Sequence, residues 1–471
     1  MFASELQETL PLLNVSVVGH TNTGKTSLIR TLLRSTQFGI IEDAAGTTRH
    51  VEQATLAVDN QPILNLYDTP GLEDSRALYA HIRNLQAKSK SMSPVQILKN
   101  FVEHIAIDDP LEQEAKVIRQ VLRSDVLLYI IDVREPFLEK YRLELNVLTL
   151  IARPIITIFN FTAENPQALA KWREHLAVYN IHTTLEFDTV AYSFEAEKRL
   201  YQKIQTLVDT HYVALQKLID YRAKLWKQLC HSGAKRVVEL IVSVACHREI
   251  TTESSKLLPD VSPEERLHDF VRKVEQQCLH DLLSIFSFSE KDVEIQKIPV
   301  TNGHWELDIF APGILKAYGL DVGSAAAKGA AAGAGIDLVV GGLSLGAATA
   351  LGAIAGAGWS TFKRYGDEIK ATISGNKFQC ADDATLQVLY LRQKYLLQKL
   401  MQRGHAAHTK VRVDKTDNEK LPDNWSKLIS MLRQNPMWVV PSIARNNNPH
   451  YQVVENQLIA ALLDQENTAL N

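Results

Sequence analysis

Gly19-His20-Thr21-Asn22-Thr23-Gly24-Lys25-Thr26 stands between the apolar run Asn14-Val15-Ser16-Val17-Val18 and the helix-forming Ser27-Leu28-Ile29-Arg30-Thr31-Leu32-Leu33. The eight residues fit the spacing GxxxxGK[ST], and the flanks supply the context that spacing requires, a strand before and a helix after. Glycines allow successive backbone N–H groups to converge on an anion at a helix N-terminus, where the helix dipole adds partial positive charge. A polyphosphate site is therefore expected. Lys25 would place a point charge on the β- and γ-phosphates, and the Thr26 hydroxyl would ligate Mg²⁺, an ion that takes few protein ligands. Ser27 is expected beside the α-phosphate, so every residue from Gly19 to Ser27 is a candidate nucleotide contact.

Outward from this loop the chain alternates strand-like runs, VEQATLAV, PILNLYD, VLLYIID and PIITIFN, with helix-like stretches. This pattern predicts an α/β domain over 1–195, with a mostly parallel sheet and helices on both faces. Runs that end in Gly19, Asp68 and Asp132 place polar chemistry at the carboxyl ends of parallel strands, where open α/β sheets bind ligands. In Asp68-Thr69-Pro70-Gly71 the carboxylate is positioned to reach Mg²⁺ through water, and Gly71 can bring its N–H close to a γ-phosphate because no side chain intervenes. Ala45-Gly46-Thr47-Thr48-Arg49 lies where a threonine could complete the Mg²⁺ shell. The stretch between Asp68 and Val126 is long for one crossover and reads as a helical insertion over about 73–123. Its AKSKSMSP stretch is expected to be exposed, and LEQEAKVIRQVL to be the helix that returns to the sheet.

The order and spacing of these three motifs resemble the Era/TrmE-type branch of bacterial P-loop GTPases over about the first 190 residues. The resemblance implies GTP and GDP as ligands, hydrolysis assisted by Lys25 and Thr48, and Mg²⁺ held by Thr26, Thr48 and Asp68, with Thr47 a rival for Thr48. It also implies a potassium ion beside Asn22, acting where an arginine finger would. The position after Gly71, where many regulatory GTPases carry a water-orienting glutamine, is Leu72, so slow intrinsic turnover is expected. Guanine is normally read by NKxD, but here the strand ends in Asn160-Phe161-Thr162-Ala163, and only Asn160 is retained as a base-site contact. A charge-assisted hydrogen bond contributes about 1.5–3 kcal/mol, so losing the aspartate weakens base preference more than nucleotide binding. Phe161 could stack on a purine, and Val190-Ala191-Tyr192-Ser193 is a candidate second base loop. The whole chain also resembles an uncharacterised bacterial family that joins this kind of GTPase to a C-terminal domain of unknown function.

Composition bounds the rest. With 471 residues, 45% of them hydrophobic, the chain can build two to four cored domains. A net charge of −3 gives no basic footprint, so nucleic acid is an unlikely partner. Cys230, Cys246, Cys278 and Cys380 form no CxxC pair and read as packed thiols of a cytoplasmic protein. The first 20 residues have no positively charged start of the secretory kind.

Beyond Ser193 helical periodicity takes over, predicting a mainly helical domain over 196–320 and a helical C-terminal region over 361–471. Between them, ten of the 22 glycines fall from Gly323 to Gly358. This segment, 321–360, reads as a Gly/Ala-rich helical hairpin or a membrane segment, with GxxxG spacings and an uncharged run long enough to span a bilayer. Association with an inner membrane through 329–359 follows from the second reading. The combined expectation is a GTPase whose nucleotide switch controls a helical C-terminal module, with a protein partner and a nucleotide-dependent dimer as further expectations. Two rivals are a nucleotide-binding scaffold with little hydrolysis, motivated by Leu72, and an RNA- or ribosome-associated GTPase, which lacks a basic GxxG element in support.

Overall fold

The computed structural model describes residues 10–34, 51–89, 91–106, 108–162, 165, 167–189, 193–250, 262–288, 300–301, 304–305, 308–310, 336–340, 377–402 and 421–463. The chain divides between Trp226 and Lys227 into two compact units.

In the first unit the elements run β1 (Leu13–Val18), α1 (Lys25–Leu33), β2 (Glu52–Val58), β3 (Gln61–Asp68), α2 (Ser75–Lys88), α3 (Pro94–His104) and α4 (Glu112–Leu122). They continue with β4 (Val126–Asp132), α5 (Glu139–Leu148), β5 (Ile155–Asn160), α6 (Ala168–Ala177), β6 (Thr184–Glu186), α7 (Phe194–Leu207) and the part of α8 (Tyr212–Cys246) up to Trp226. The six strands lie in the order β2-β3-β1-β4-β5-β6, all parallel to their neighbours except β2 against β3. That exception has a local cause: Asp59 and Asn60 both take positive φ, 50° and 64°, which suits a two-residue hairpin turn.

β4 shows why the sheet needs cover on both sides. All seven of its residues are buried. Leu127, Tyr129 and Ile131 join α2 to α6 in one core, while Val126, Leu128 and Ile130 join α1, α7 and the start of α8 in the other. Alternation along a strand sends successive side chains to opposite faces, so a continuous apolar run requires two helical layers. The α/β architecture expected from the sequence is the one observed.

The stretch between Asp68 and Val126 contains α2, α3 and α4. The sequence reading expected a helical insertion with AKSKSMSP exposed, and its described residues are exposed or half-buried. It did not mark a separate helix there: Ser93-Pro94-Val95-Gln96 opens α3 with a reciprocal capping box and proline in its first turn. The expected boundary at 195 also moves, because Ala196, Leu200, Tyr201 and Ile204 of α7, with Leu215 and Leu218 of α8, complete the second core.

The second unit is mostly helical. Its main helices are the later part of α8, α9 (Pro263–Ile285), α10 (Asp383–Met401), α11 (Trp425–Arg433), the short α12 (Ile443–Asn446) and α13 (Pro449–Leu463). β7 (Glu249–Ile250) precedes α9, and a two-residue hairpin pairs β8 (Val300–Thr301) with β9 (His304–Trp305). β10 (Ile336–Val340) and β11 (Lys377–Ala381) pair antiparallel, with β7 on the far side of β11.

β10 corrects one expectation, since it lies inside the segment read as a helical hairpin or membrane span. Its Ile-Asp-Leu-Val-Val composition favours a strand over the helix that the neighbouring alanines suggested. The remainder of 321–360 lies outside the described residues, and no described helix is long and apolar enough to cross a membrane. Cys230, Cys246, Cys278 and Cys380 are all buried, and α9 and α10 share a buried ion pair, Glu275 with Arg392 at 3.0 Å.

Candidate nucleotide site

Parallel pairing fixes the site before any side chain does. Val17 of β1 lies opposite Asp68 of β3, and Asp132 of β4 lies opposite Asn160 of β5, so four strand ends meet at one edge. The loop from Gly19 to Gly24 leaves β1 at that edge and enters α1, whose N-terminus has no side-chain cap. Gly24 occupies φ 99°, and a Cβ there would lie 2.3 Å from Asn160 Nδ2, so both conformation and space demand glycine.

Lys25 is buried, and its Nζ donates to the carbonyls of His20 at 2.8 Å and Gly19 at 3.2 Å. Burial pushes the ammonium below its ordinary pKa, while Asp68, Glu144 and Glu73 oppose the shift. The Thr26 hydroxyl donates to Asp68 Oδ2 at 2.5 Å. Burial raises the Asp68 carboxyl to about 6 against the lowering influence of Thr26 and Lys25, and Glu52, its cross-strand neighbour, adds to the rise.

The other carboxylate oxygen, Asp68 Oδ1, is buried without a hydrogen-bond partner among the described residues. An orphaned buried carboxylate oxygen beside a threonine hydroxyl is a donor pair suited to a hard cation such as Mg²⁺. The residues present therefore fit that ion.

Thr21, Asn22 and Thr23 complete the loop. Asn22 is exposed with φ 62°, Thr23 donates to the His20 carbonyl at 2.9 Å, and Thr21 lies against Gly71. Ser27 is half-buried on α1. The His20 ring is engaged by the Leu72 carbonyl and by Glu144. Leu72 is fully buried in the core, so its side chain is withdrawn from the site. Thr48, with Thr47 and the rest of Ala45–Arg49, lies outside the described residues, as do Ala163 and 190–192 of the candidate base loop; Ser193 caps α7.

Asn160, at the end of β5, is fully buried. Its Nδ2 donates to the Thr23 carbonyl at 2.9 Å, and its Oδ1 accepts from the Phe161 and Thr189 amides, both at 3.0 Å. The fully buried amide thus ties the phosphate loop to two other segments. Thr189 escaped the sequence reading, although it follows the strand-like TLEFD directly; its carbonyl also accepts from Thr31 on α1. Asn160→Ala leaves those partners buried and unpaired. It is expected to cost about 2–4 kcal/mol of stability, read as a lower urea midpoint with an unchanged slope.

Phe161 has φ 59°, and the Arg134 guanidinium sits 3.8 Å from its ring centroid, held there by Asp132 at 2.7 Å. An aromatic ring thus stands directly after Asn160, where NKxD would place a lysine.

Comparison with known proteins agrees with this geometry. Residues 14–161 match the family described as "50S ribosome-binding GTPase", and residues 173–460 match "Domain of unknown function (DUF3482)". The tRNA modification GTPase MnmE of Ruthia magnifica is 46% identical over 63 residues, covering 13% of this chain and 14% of that protein. Immune-associated nucleotide-binding protein 10 of Arabidopsis thaliana is 43% identical over 65 residues, 14% of each chain. The chain thus spans about a seventh of the length of these two relatives. Among solved structures, Aquifex aeolicus Era bound to GDP and AlF4⁻ aligns at 17% identity and a TM-score of 0.30, covering 42% of this chain and 57% of that one. The first domain is a P-loop GTPase domain, similar over part of its length to MnmE, which supports GTP binding. With more than half of its length matched, the chain belongs to the DUF3482 family, carrying that domain behind a P-loop GTPase domain.

Proposed function

We propose that the protein binds GTP and GDP at the Gly19–Ser27 loop, hydrolyses GTP slowly, and uses the change of nucleotide to control its helical C-terminal module. The observation that carries this reading is the meeting of Lys25, Thr26 and Asp68 at one sheet edge, with Asp68 Oδ1 left unpaired.

In this reading the loop amides and Lys25 hold the β- and γ-phosphates, Thr26 and Asp68 hold the cation, and Thr48 supplies its remaining protein ligand. Mg²⁺, when bound, neutralises charge on the β- and γ-oxygens. Water attacks in line with the departing GDP, and Lys25 stabilises the charge that develops between them. No glutamine follows Gly71, and Leu72 is buried in the core, so no side chain at that position orients the water. Slow turnover follows. Control of base identity falls on the Phe161 ring and the loop near Thr189 rather than on a carboxylate, which predicts a smaller guanine-over-adenine preference than an intact NKxD element gives.

Single-turnover release of phosphate from radiolabelled GTP tests the hydrolytic step. With Mg²⁺ present, release is expected to be slow in NaCl and about tenfold faster or more in KCl of equal ionic strength, if potassium beside Asn22 stands in for an arginine finger. Nucleotide that binds but releases no phosphate in either salt would favour the scaffold reading, which the buried Leu72 supports, and would end the hydrolytic one.

A further inference from the structure

The segment after β3 is fastened almost residue by residue. Thr69 Oγ1 donates to the Val17 carbonyl at 2.7 Å, Leu72 is buried in the core, and the Asp74 amide donates to Glu114 Oε1 at 3.0 Å. Gly71 meets the phosphate loop directly: a Cβ there would lie 2.9 Å from the Thr21 amide nitrogen and 3.0 Å from its Cα. One side chain joins the phosphate loop to the backbone next to Gly71. His20 Nδ1 lies 3.1 Å from the Leu72 carbonyl and 2.9 Å from Glu144 Oε1. A carbonyl can only accept, so Nδ1 carries the proton. Glu144 is fully buried on α5, and its second oxygen accepts from the buried Tyr129 hydroxyl at 2.7 Å. A buried carboxylate needs such partners, and they fix where it stands. Tyr129 and Glu144 thus set the imidazole, and the imidazole sets Leu72.

We propose that His20 is a positioning residue that holds the Gly71–Leu72 peptide against the phosphate loop, so that the Gly71 N–H stands ready for a γ-phosphate. The inference rests on the nucleotide reading above and deepens it. GDP makes no use of a γ-phosphate contact, so His20 acts on the preference for triphosphate over diphosphate. The Thr21 hydroxyl, 3.4 Å from Glu73 Oε1, adds a second and weaker tie between the same two segments.

The test compares the full-length protein with His20→Ala, His20→Asn and Glu144→Gln, titrating each with fluorescent GDP and with a fluorescent non-hydrolysable GTP analogue in Mg²⁺. His20→Ala is expected to weaken the analogue about tenfold more than it weakens GDP, as befits loss of one partly buried hydrogen bond. His20→Asn, whose Nδ2 occupies nearly the position of the histidine Nδ1, is expected to restore the analogue to within about threefold of wild type. Glu144→Gln keeps one acceptor oxygen where the Tyr129 hydroxyl and the His20 Nδ1–H now have two, and loses the charge, so it loosens the imidazole and is expected to show a smaller selective loss, which keeps the proposal testable if His20→Ala does not fold. Equal weakening of both nucleotides, or no change in either, would overturn the positioning role while leaving nucleotide binding intact. Wild-type protein that binds neither nucleotide would overturn the underlying reading instead.

Discussion

Replacing Lys25 with alanine is expected to lower affinity for GTP and GDP by about a hundredfold to several thousandfold, the largest effect any single substitution in this chain should have on ligand binding. A buried ammonium contacting two phosphate groups makes charge-assisted hydrogen bonds of about 1.5–3 kcal/mol each, and every 1.4 kcal/mol is a factor of ten. Lys25 is already in place for this role: it is buried, anchored by the carbonyls of Gly19 and His20, and subject to the fields of Asp68, Glu144 and Glu73. The change should leave folding nearly untouched, because the residue sits in the first turn of α1 and alanine is a good helix former. Titration with a fluorescent nucleotide, alongside a thermal unfolding curve, separates loss of binding from loss of structure. Lys25→Ala protein with wild-type affinity would show that the loop does not grip phosphate through this side chain.

Asp68→Asn should move stability and binding in opposite directions. Asp68 is fully buried, and its folded-state pKa of about 6 lies above the ordinary carboxylate value. The sign follows from linkage. A folded state that holds the proton more tightly than the unfolded chain is favoured at low pH, and that advantage is lost as pH rises through about 4 to 6. At neutral pH the ionised carboxylate therefore costs the ligand-free protein up to about 3 kcal/mol. Asparagine keeps an acceptor for the Thr26 hydroxyl and removes the charge. The ligand-free variant should unfold several degrees higher than wild type at pH 7.5, and the gap should close below pH about 4. Its affinity for GTP with Mg²⁺ should fall about tenfold to a hundredfold, through loss of the carboxylate that reaches the ion. A variant less stable than wild type at pH 7.5, or one that binds GTP with Mg²⁺ as tightly, would contradict the assignment of Asp68 Oδ1 to the cation. Such a trade is common at functional sites, where a group that is costly in the empty fold is kept for its ligand.

How much of this was legible in the sequence depends on how far apart the partners lie. The phosphate loop was readable because its glycines, lysine and threonine fall within eight residues and their flanks name the elements around them. Asp68 was placed beside it by the argument that parallel strands end at one edge, and the register of Val17 against Asp68 agrees. The α/β fold followed from runs whose period changes between strand and helix.

The His20–Glu144 contact joins positions 124 apart and leaves no local trace, since nothing about a glutamate on an amphipathic helix marks it as buried. Asn160 was singled out in the sequence, but its ties to the Thr23 carbonyl and the Thr189 amide were not, because those groups lie 137 and 29 residues away and only the tertiary structure brings them together. Two other misses were local. The Ser93–Gln96 capping box was present in the sequence but hidden by the polar residues before it, and the strand Ile336–Val340 was masked by the Ala/Gly composition on either side. The family match runs over residues 173–460, and within the second unit the buried Glu275–Arg392 pair joins α9 to α10.

The most direct test of the central claim is isothermal titration of the full-length protein with GTP in the presence of Mg²⁺. One saturable site per chain, lost when Lys25 is alanine, is the expected result. No heat of binding at millimolar GTP, with the chain folded and Mg²⁺ in excess, would contradict it.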